Sequence, residues 1–191
     1  MTTGVHIAVC AGLGNPGAQY AHTRHNVGFE FVDSLSPSSV WQERADIAVT
    51  DWMAGSSKIV LAKPLTYMNR SGEPLRELLH YRNILTSSLL VVHDDVDLPM
   101  GVLRIKFDGG TGGHNGLNSI VQTLGSDFYR IRLGVGRPTD ASEMRNWVLG
   151  RWSPDEKVIK DAMLQRAREA LHELLESGLT AAQNKFHRDS A

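Results

Sequence analysis

VHIAVCAGLGNPG (Val5–Gly17), followed at once by AQYAHTRHN (Ala18–Asn26), is the stretch on which the fold turns. Val5–Leu13 is apolar and β-branched and runs into glycines, the pattern of a buried strand. Gly12, Gly14 and Gly17 then spell G-x-G-x-x-G, the outline of a dinucleotide-binding turn. Such a turn opens a helix immediately and places an acid about 20 residues further on, at the end of a second strand. AQYAHTRHN is too polar and irregular for that helix, and Asp33 falls inside a helical pattern. The fingerprint fails. A tight Asn15-Pro16-Gly17 turn accounts for the glycines without a ligand. It does not account for Asn15, Tyr20, Arg24, His25 and Asn26 gathering beyond the C-terminal end of a strand, where open α/β sheets carry their sites.

Outward from this loop, strands and helices interleave. Asn26–Leu35 reads as a short helix stopped by Ser36-Pro37. Residues 37–57 are less legible, with one strand near Ile47–Trp52. Lys58–Ala62 is a further strand, closed by Lys63-Pro64. Glu73–Tyr81 is helical, with Ser71 as candidate cap and Pro74 in the first turn. Leu89–His93 (LLVVH) is the near-continuous apolar run of a strand covered on both faces. Val102–Phe107 alternates apolar residues with Arg104 and Lys106, giving one apolar and one basic face. Leu117–Leu124 is a helix and Tyr129–Val135 a strand. Ser153-Pro154-Asp155-Glu156 is a helix start with cap, first-turn proline and capping-box glutamate. Ile159, Met163, Ala167, Ala170 and Leu174 mark one face of the long helix that follows, ending at Ser177-Gly178. The expected fold is α/β: a single domain over residues 1–191 with no internal repeat.

The chain has 191 residues, 41% hydrophobic and 21% charged, enough for one good core and not the composition of a disordered chain. Lys and Arg number 20 against 21 Asp and Glu, a formal charge of −1, so any nucleic-acid role needs a local basic patch. Residues 101–151 supply one: Arg104, Lys106, Arg130, Arg132, Arg137, Arg145 and Arg151 against Asp108, Asp127, Asp140 and Glu143 leave this stretch at +3. Cys10 is the only cysteine, which excludes an internal disulfide. Its mid-strand position marks a buried structural thiol. With neither a signal sequence nor a run of 18 apolar residues, a soluble cytoplasmic protein is expected.

The chemistry concentrates at strand ends. Asp94 lies directly beyond LLVVH, where a carboxylate can orient the imidazole of His25. Asn69 in TYMNRSG and Asn115 in GGTGGHNGL sit in glycine-flanked turns, where carboxamides can place a water or donate to a carbonyl oxygen gaining charge. No serine occupies a G-x-S-x-G elbow, so a water activated by His25 fits better than a covalent intermediate. The rival is a metal site built from His22, His25 and the His93-Asp94-Asp95-x-Asp97 run. The His22–His25 spacing is not that of H-E-x-x-H, and metal dependence is not expected. GGTGGHNG lacks the Lys-Ser/Thr of a triphosphate loop, though with Arg104, Lys106 and Arg132 on neighbouring strands it suits one phosphate of a larger ligand.

Taken in order, GLGNPGAQYAHTRHNVGFEFVD, KPLTYMNRSG, HDDVDLPMG, GGTGGHNGLNSI and FYRIRLGVGRP resemble the bacterial-type peptidyl-tRNA hydrolases over roughly residues 7–138. The resemblance implies a single α/β domain with a mixed twisted sheet flanked by helices. It implies cleavage of the ester joining a peptide to the 3′ end of tRNA, with no cofactor, by a monomer needing no protein partner and no membrane. Carried over residue by residue, it makes His25 the catalytic base and Asp94 its orienting partner. Asn15, Asn69 and Asn115 become the amides holding the peptide and the reacting carbonyl, Tyr20 and Met68 line the cleft, and Lys106 and Arg132 grip the tRNA 5′-phosphate. Residues 139–151 resemble a helix and loop that approach the tRNA stem and cover the cleft. Two positions depart from the pattern: Asp95 stands where many relatives carry Glu, and Tyr67 where some carry Phe. Plant organellar splicing factors similar to this family bind RNA without hydrolysis; the intact His25, Asp94, Asn15 and Asn115 set argues for the enzyme.

Overall fold

A computed structural model describes residues 4–187. Seven strands, β1 (Val9–Gly12), β2 (Gln42–Arg44), β3 (Ile47–Ala54), β4 (Ser57–Pro64), β5 (Leu89–Asp95), β6 (Leu103–Phe107) and β7 (Tyr129–Gly134), form one mixed sheet in the order β2-β3-β4-β1-β5-β7-β6. The central four, β4, β1, β5 and β7, run parallel, while β2, β3 and β6 join antiparallel at the two sides. Among the described residues, six α-helices accompany them: α1 (Val27–Leu35), α2 (Gly72–Tyr81), α3 (Asn115–Leu124), α4 (Met144–Val148), α5 (Pro154–Ser177) and α6 (Leu179–Phe186).

Alternation along the strands builds two cores. Cys10, Leu90, Val92, Ile105 and Ile131 face α1, α5 and α6, meeting Phe31, Met163, Leu171 and Phe186. Val9, Ala11, Val60, Leu89 and Val91 face α2 and α3, meeting Leu75, Leu79, Leu117 and Ile120. This is why the strands read as continuous apolar runs: both faces are covered. Burial pushes the Cys10 thiol up to about 12, so it is inert filler.

Several boundaries differ from the sequence reading. The first strand is only Val9–Gly12, because residues ahead of it dock on the end of α5: the Val5 N–H donates to the Leu174 carbonyl at 3.2 Å. Strand β2 and helix α6 went unread, β2 because its three residues are all exposed and carry no apolar pattern. Ser71 does not cap α2; its hydroxyl turns back to the Met68 carbonyl at 2.8 Å. Ile159 is 44% exposed, and Lys160 packs inward instead, its Nζ on Glu30 of α1 at 2.5 Å. The capping box at Ser153 and Glu156 forms as expected, and α5 ends at Ser177 before Gly178. Among the described residues no helix is long and apolar enough to cross a membrane.

Candidate active site

The carboxyl ends of β4, β1 and β5 lie side by side, and each delivers part of one site. After β1, the chain turns through Asn15 and a 3-10 turn, Ala18–Tyr20, into a second 3-10 turn, Arg24–Asn26, that carries His25. Asn26 clamps the turn to the loop: its Oδ1 accepts from the Asn15 N–H and its Nδ2 donates to the Asn15 carbonyl, both at 2.9 Å. After β4, the Met68 N–H donates to Asn15 Oδ1 at 2.8 Å. With that oxygen taken, Asn15 has its NH2 group left to offer as a donor.

His25 Nδ1 lies 2.9 Å from both oxygens of Asp94, at the end of β5. The carboxylate can only accept, so Nδ1 carries the hydrogen and Nε2 holds the free lone pair. Burial opposes a charge on this ring, but the Asp94 charge and hydrogen bond outweigh it and raise the His25 pKa above 6.5. Burial would likewise push the Asp94 carboxyl up; His25 and His114, by charge and hydrogen bond, hold it well below the usual carboxylate range. Asp94 is therefore an anion throughout the working range.

His114 is the member that sequence reading missed. It caps α3: its Nδ1 accepts from the Gly116 and Leu117 N–H groups at 3.1 and 3.3 Å. Its Nε2 must then be the donor to Asp94 Oδ1, at 2.9 Å. The signal was there, in a polar residue directly before a helix start. His93 donates from Nδ1 to the Asp94 carbonyl at 2.7 Å, and burial, then the neighbouring His114, lowers it to about 3, so it stays neutral.

The metal set considered from sequence does not assemble. His22 is largely exposed and faces Glu30 at 3.7 Å. Asp97 pairs with Arg137. The ligating atoms that do converge, on His25, Asp94 and His114, lie within 4.8 Å of one another and are held by the hydrogen bonds just described.

The nine side chains to which the family resemblance gave a role, Asn15, Tyr20, His25, Met68, Asn69, Asp94, Lys106, Asn115 and Arg132, all line one cleft of about 870 Å³. Asn69 and Asn115 stand exposed on its rim, at the Met68–Arg70 turn and the first residue of α3. Tyr20 and Tyr67 meet edge to face at 6.4 Å. Elsewhere the lining is basic. Lys106 on β6 and Arg132 on β7 share a sheet face with Arg104 and Arg130, the register pairing Lys106 with Arg130 and Arg104 with Arg132. Burial first, then Arg130 and Arg132, lower the Lys106 pKa. Arg132 is not wholly free: its Nε donates to Asp95 at 2.7 Å, the contact made by the shorter acid at that position. Arg130 is fully buried and holds the glycine loop by the carbonyls of Gly109 and Gly110, at 2.7 and 2.6 Å. Met144, Arg145, Val148 and Leu149 close the cleft from α4 and the residue after it. Arg24, grouped with His25 in sequence, points away from the cleft to Glu156.

A buried imidazole–carboxylate pair at the carboxyl ends of parallel strands, beside carboxamides that line the same cleft, is the equipment of a hydrolase. The sequence profile of the family described as Peptidyl-tRNA hydrolase matches residues 9–191. The chain belongs to that family. It is 43% identical over 180 residues to the peptidyl-tRNA hydrolase of Syntrophomonas wolfei, covering 92% of this chain and 97% of the relative. It is 44% identical over 186 residues to that of Bacillus licheniformis, covering 94% and 97%. The crystal structure of peptidyl-tRNA hydrolase from Acinetobacter baumannii superimposes with a TM-score of 0.90 at 33% identity, over 97% of each chain.

Proposed function

We propose that this protein hydrolyses the ester between peptide and tRNA in peptidyl-tRNA, with His25 as general base. The observation that carries the reading is His25 itself: Nδ1 tied to ionised Asp94, and Nε2 with no hydrogen-bond partner among the described residues, in a cleft that also holds basic side chains. Nε2 takes a proton from water, and the oxygen attacks the ester carbonyl. The carboxamide of Asn15 donates to the oxygen that gains charge, while Asn69 and Asn115 hold the peptide backbone. The tetrahedral intermediate collapses, and the ribose 3′-oxygen leaves with the proton returned by His25. No covalent enzyme intermediate forms, and the scheme needs no metal. Tyr20 and Met68 bear on the substrate at the reacting end, and Lys106 with the free nitrogens of Arg132 takes a tRNA phosphate. We assign the whole reaction to one domain, acting as a monomer in the cytoplasm.

An activated ester is far easier to cleave than an amide, so modest terms suffice. General base catalysis supplies about 10²–10⁴-fold, and one well-placed donor about 10²–10³-fold. The test is release of labelled peptide from an N-blocked aminoacyl-tRNA, with and without EDTA, by the wild type and His25→Ala. Cleavage that survives EDTA and is lost in the variant is expected, with tRNA binding retained. Loss on adding EDTA would point to a metal. Tight binding without cleavage by the wild type would make the protein an RNA-binding module on a hydrolase fold.

A further inference from the structure

The turn that carries His25 and the helix that closes the cleft meet at one buried side chain. Arg24 is 7% exposed. Its Nη2 lies 2.8 Å from both oxygens of Glu156 at the start of α5, one nitrogen shared between the two. Its Nη1 donates to the carbonyls of Trp147 and Arg151, each at 3.3 Å. The guanidinium lies over the Trp147 ring, 4.0 Å from its centroid, and 5.5 Å from that of Trp152. The Arg24 N–H donates to the Gly150 carbonyl at 3.0 Å, and Thr23 bridges to Arg151. A Cβ on Gly150 would sit 2.8 Å from Arg24 Nη1, so a side chain there would displace the guanidinium.

Helix α4 needs such a tie. It has five residues, none of them buried, too little apolar contact to hold itself in place. Beyond Arg24 and the Thr23 bridge, Trp147 fixes it through Nε1 to the Gly136 carbonyl at 2.9 Å. Trp147 stands behind the cleft wall, while Met144, Arg145, Val148 and Leu149 face the cleft.

We infer that Arg24 is a positioning residue that couples the α4 wall of the cleft to the catalytic turn, so that substrate held against the wall sets His25 for attack. Nη2 on Glu156, Nη1 on two backbone carbonyls and the stacked indole are served at once by one planar guanidinium, which the single ammonium of lysine cannot reproduce. Glu156 serves both sides: it anchors Arg24 and accepts from the Ser153 N–H at 2.7 Å, tying the clasp to the rigid end of α5. The inference rests on His25 being the base.

Arg24→Lys keeps the charge and removes the second nitrogen and the stacked plane. It is expected to lower kcat roughly 10- to 100-fold, the scale of a small misplacement of a catalytic group, and to raise KM for peptidyl-tRNA several-fold. The acid limb of its kcat profile moves to lower pH as His25 loses register with Asp94. A merely structural role would leave less folded enzyme with an unshifted limb. The titratable and charged groups on the elements packed about His25 are His93, Asp94 and Asp95 on β5, His114 ahead of α3, Glu30 and Asp33 on α1 and Arg145 on α4, and none of them is substituted. Trp147→Ala cuts only the wall side, so it is expected to raise KM and leave the limb in place. The double variant should have the KM of Arg24→Lys alone. Wild-type kcat, KM and limb in Arg24→Lys, or KM effects that multiply in the double variant, would overturn the coupling. If Arg24→Lys does not fold, Glu156→Gln carries the test: it keeps an acceptor for the Ser153 N–H, and an unshifted limb there overturns the proposal equally. An active His25→Ala would defeat the base assignment instead, whatever Arg24 does.

Discussion

His25 is the side chain on which the most depends, and its behaviour with pH follows from its neighbours. Only the neutral ring can accept a proton, so activity falls as pH drops through the His25 pKa. That value is raised above 6.5 because Asp94 outweighs the burial that opposes charge. The acid limb of kcat/KM in the wild type is therefore expected above pH 6.5. In Asp94→Asn the charge is gone and burial remains, so the limb should shift below that of the wild type while the rate falls. A pH–rate profile of the two proteins checks this, and a limb that does not move would remove Asp94 from its role. Asn15→Ala takes away one donor and should cost about 10²–10³-fold in kcat, read from single-turnover peptide release. Sequence pointed to His25, Asp94 and the three asparagines through their places at strand ends. It did not show that His114 completes the set, since 69 positions separate His25 from Asp94 and 20 more separate Asp94 from His114. Only the fold makes them neighbours.

Elements decide what the cleft can hold. Strands β6 and β7 present Arg104, Lys106, Arg130 and Arg132 on one face because side chains alternate along a strand, and the sequence pattern of β6 announced this. What the pattern left open was how each cation is spent. Arg130 holds a loop, Arg132 shares itself with Asp95, and Lys106 has no ion-pair partner among the described residues. Lys106→Ala is accordingly expected to raise KM and to flatten the slope of log affinity against log salt by about one phosphate contact, measured by tRNA titration at several ionic strengths. The capping box on α5 predicts that Ser153→Ala destabilises the protein by about 0.5–2 kcal/mol in urea unfolding. The same residue type at position 71 makes no such bond, because Ser71 has helical backbone angles and its hydroxyl bonds to the turn before it.

Helix α1 crosses the sheet backbone against backbone. A Cβ on Gly28 would lie 2.4 Å from the Val92 carbonyl oxygen and 2.5 Å from the Leu13 nitrogen, and one on Gly12 would lie 2.1 Å from the Gly28 carbonyl oxygen. Gly28→Ala must push the helix off β1 and β5, at a cost of about 1–3 kcal/mol. Because α1 follows the His25 turn without a break, activity should fall along with the urea midpoint. The alternation of apolar strands and helices, the capping box, the buried thiol and the strand-end polar residues were all legible in the chain, since each is a local pattern of hydrophobicity or backbone preference. The family resemblance added which of those polar residues belong together. What tertiary structure alone decided was partnership. It sent Arg24 to Glu156 rather than to the cleft, turned His22 away from His25, docked residues 4–7 on α5 instead of extending β1, and brought His114 to Asp94. These are contacts between segments distant along the chain, fixed by how the layers pack, and no local pattern encodes them.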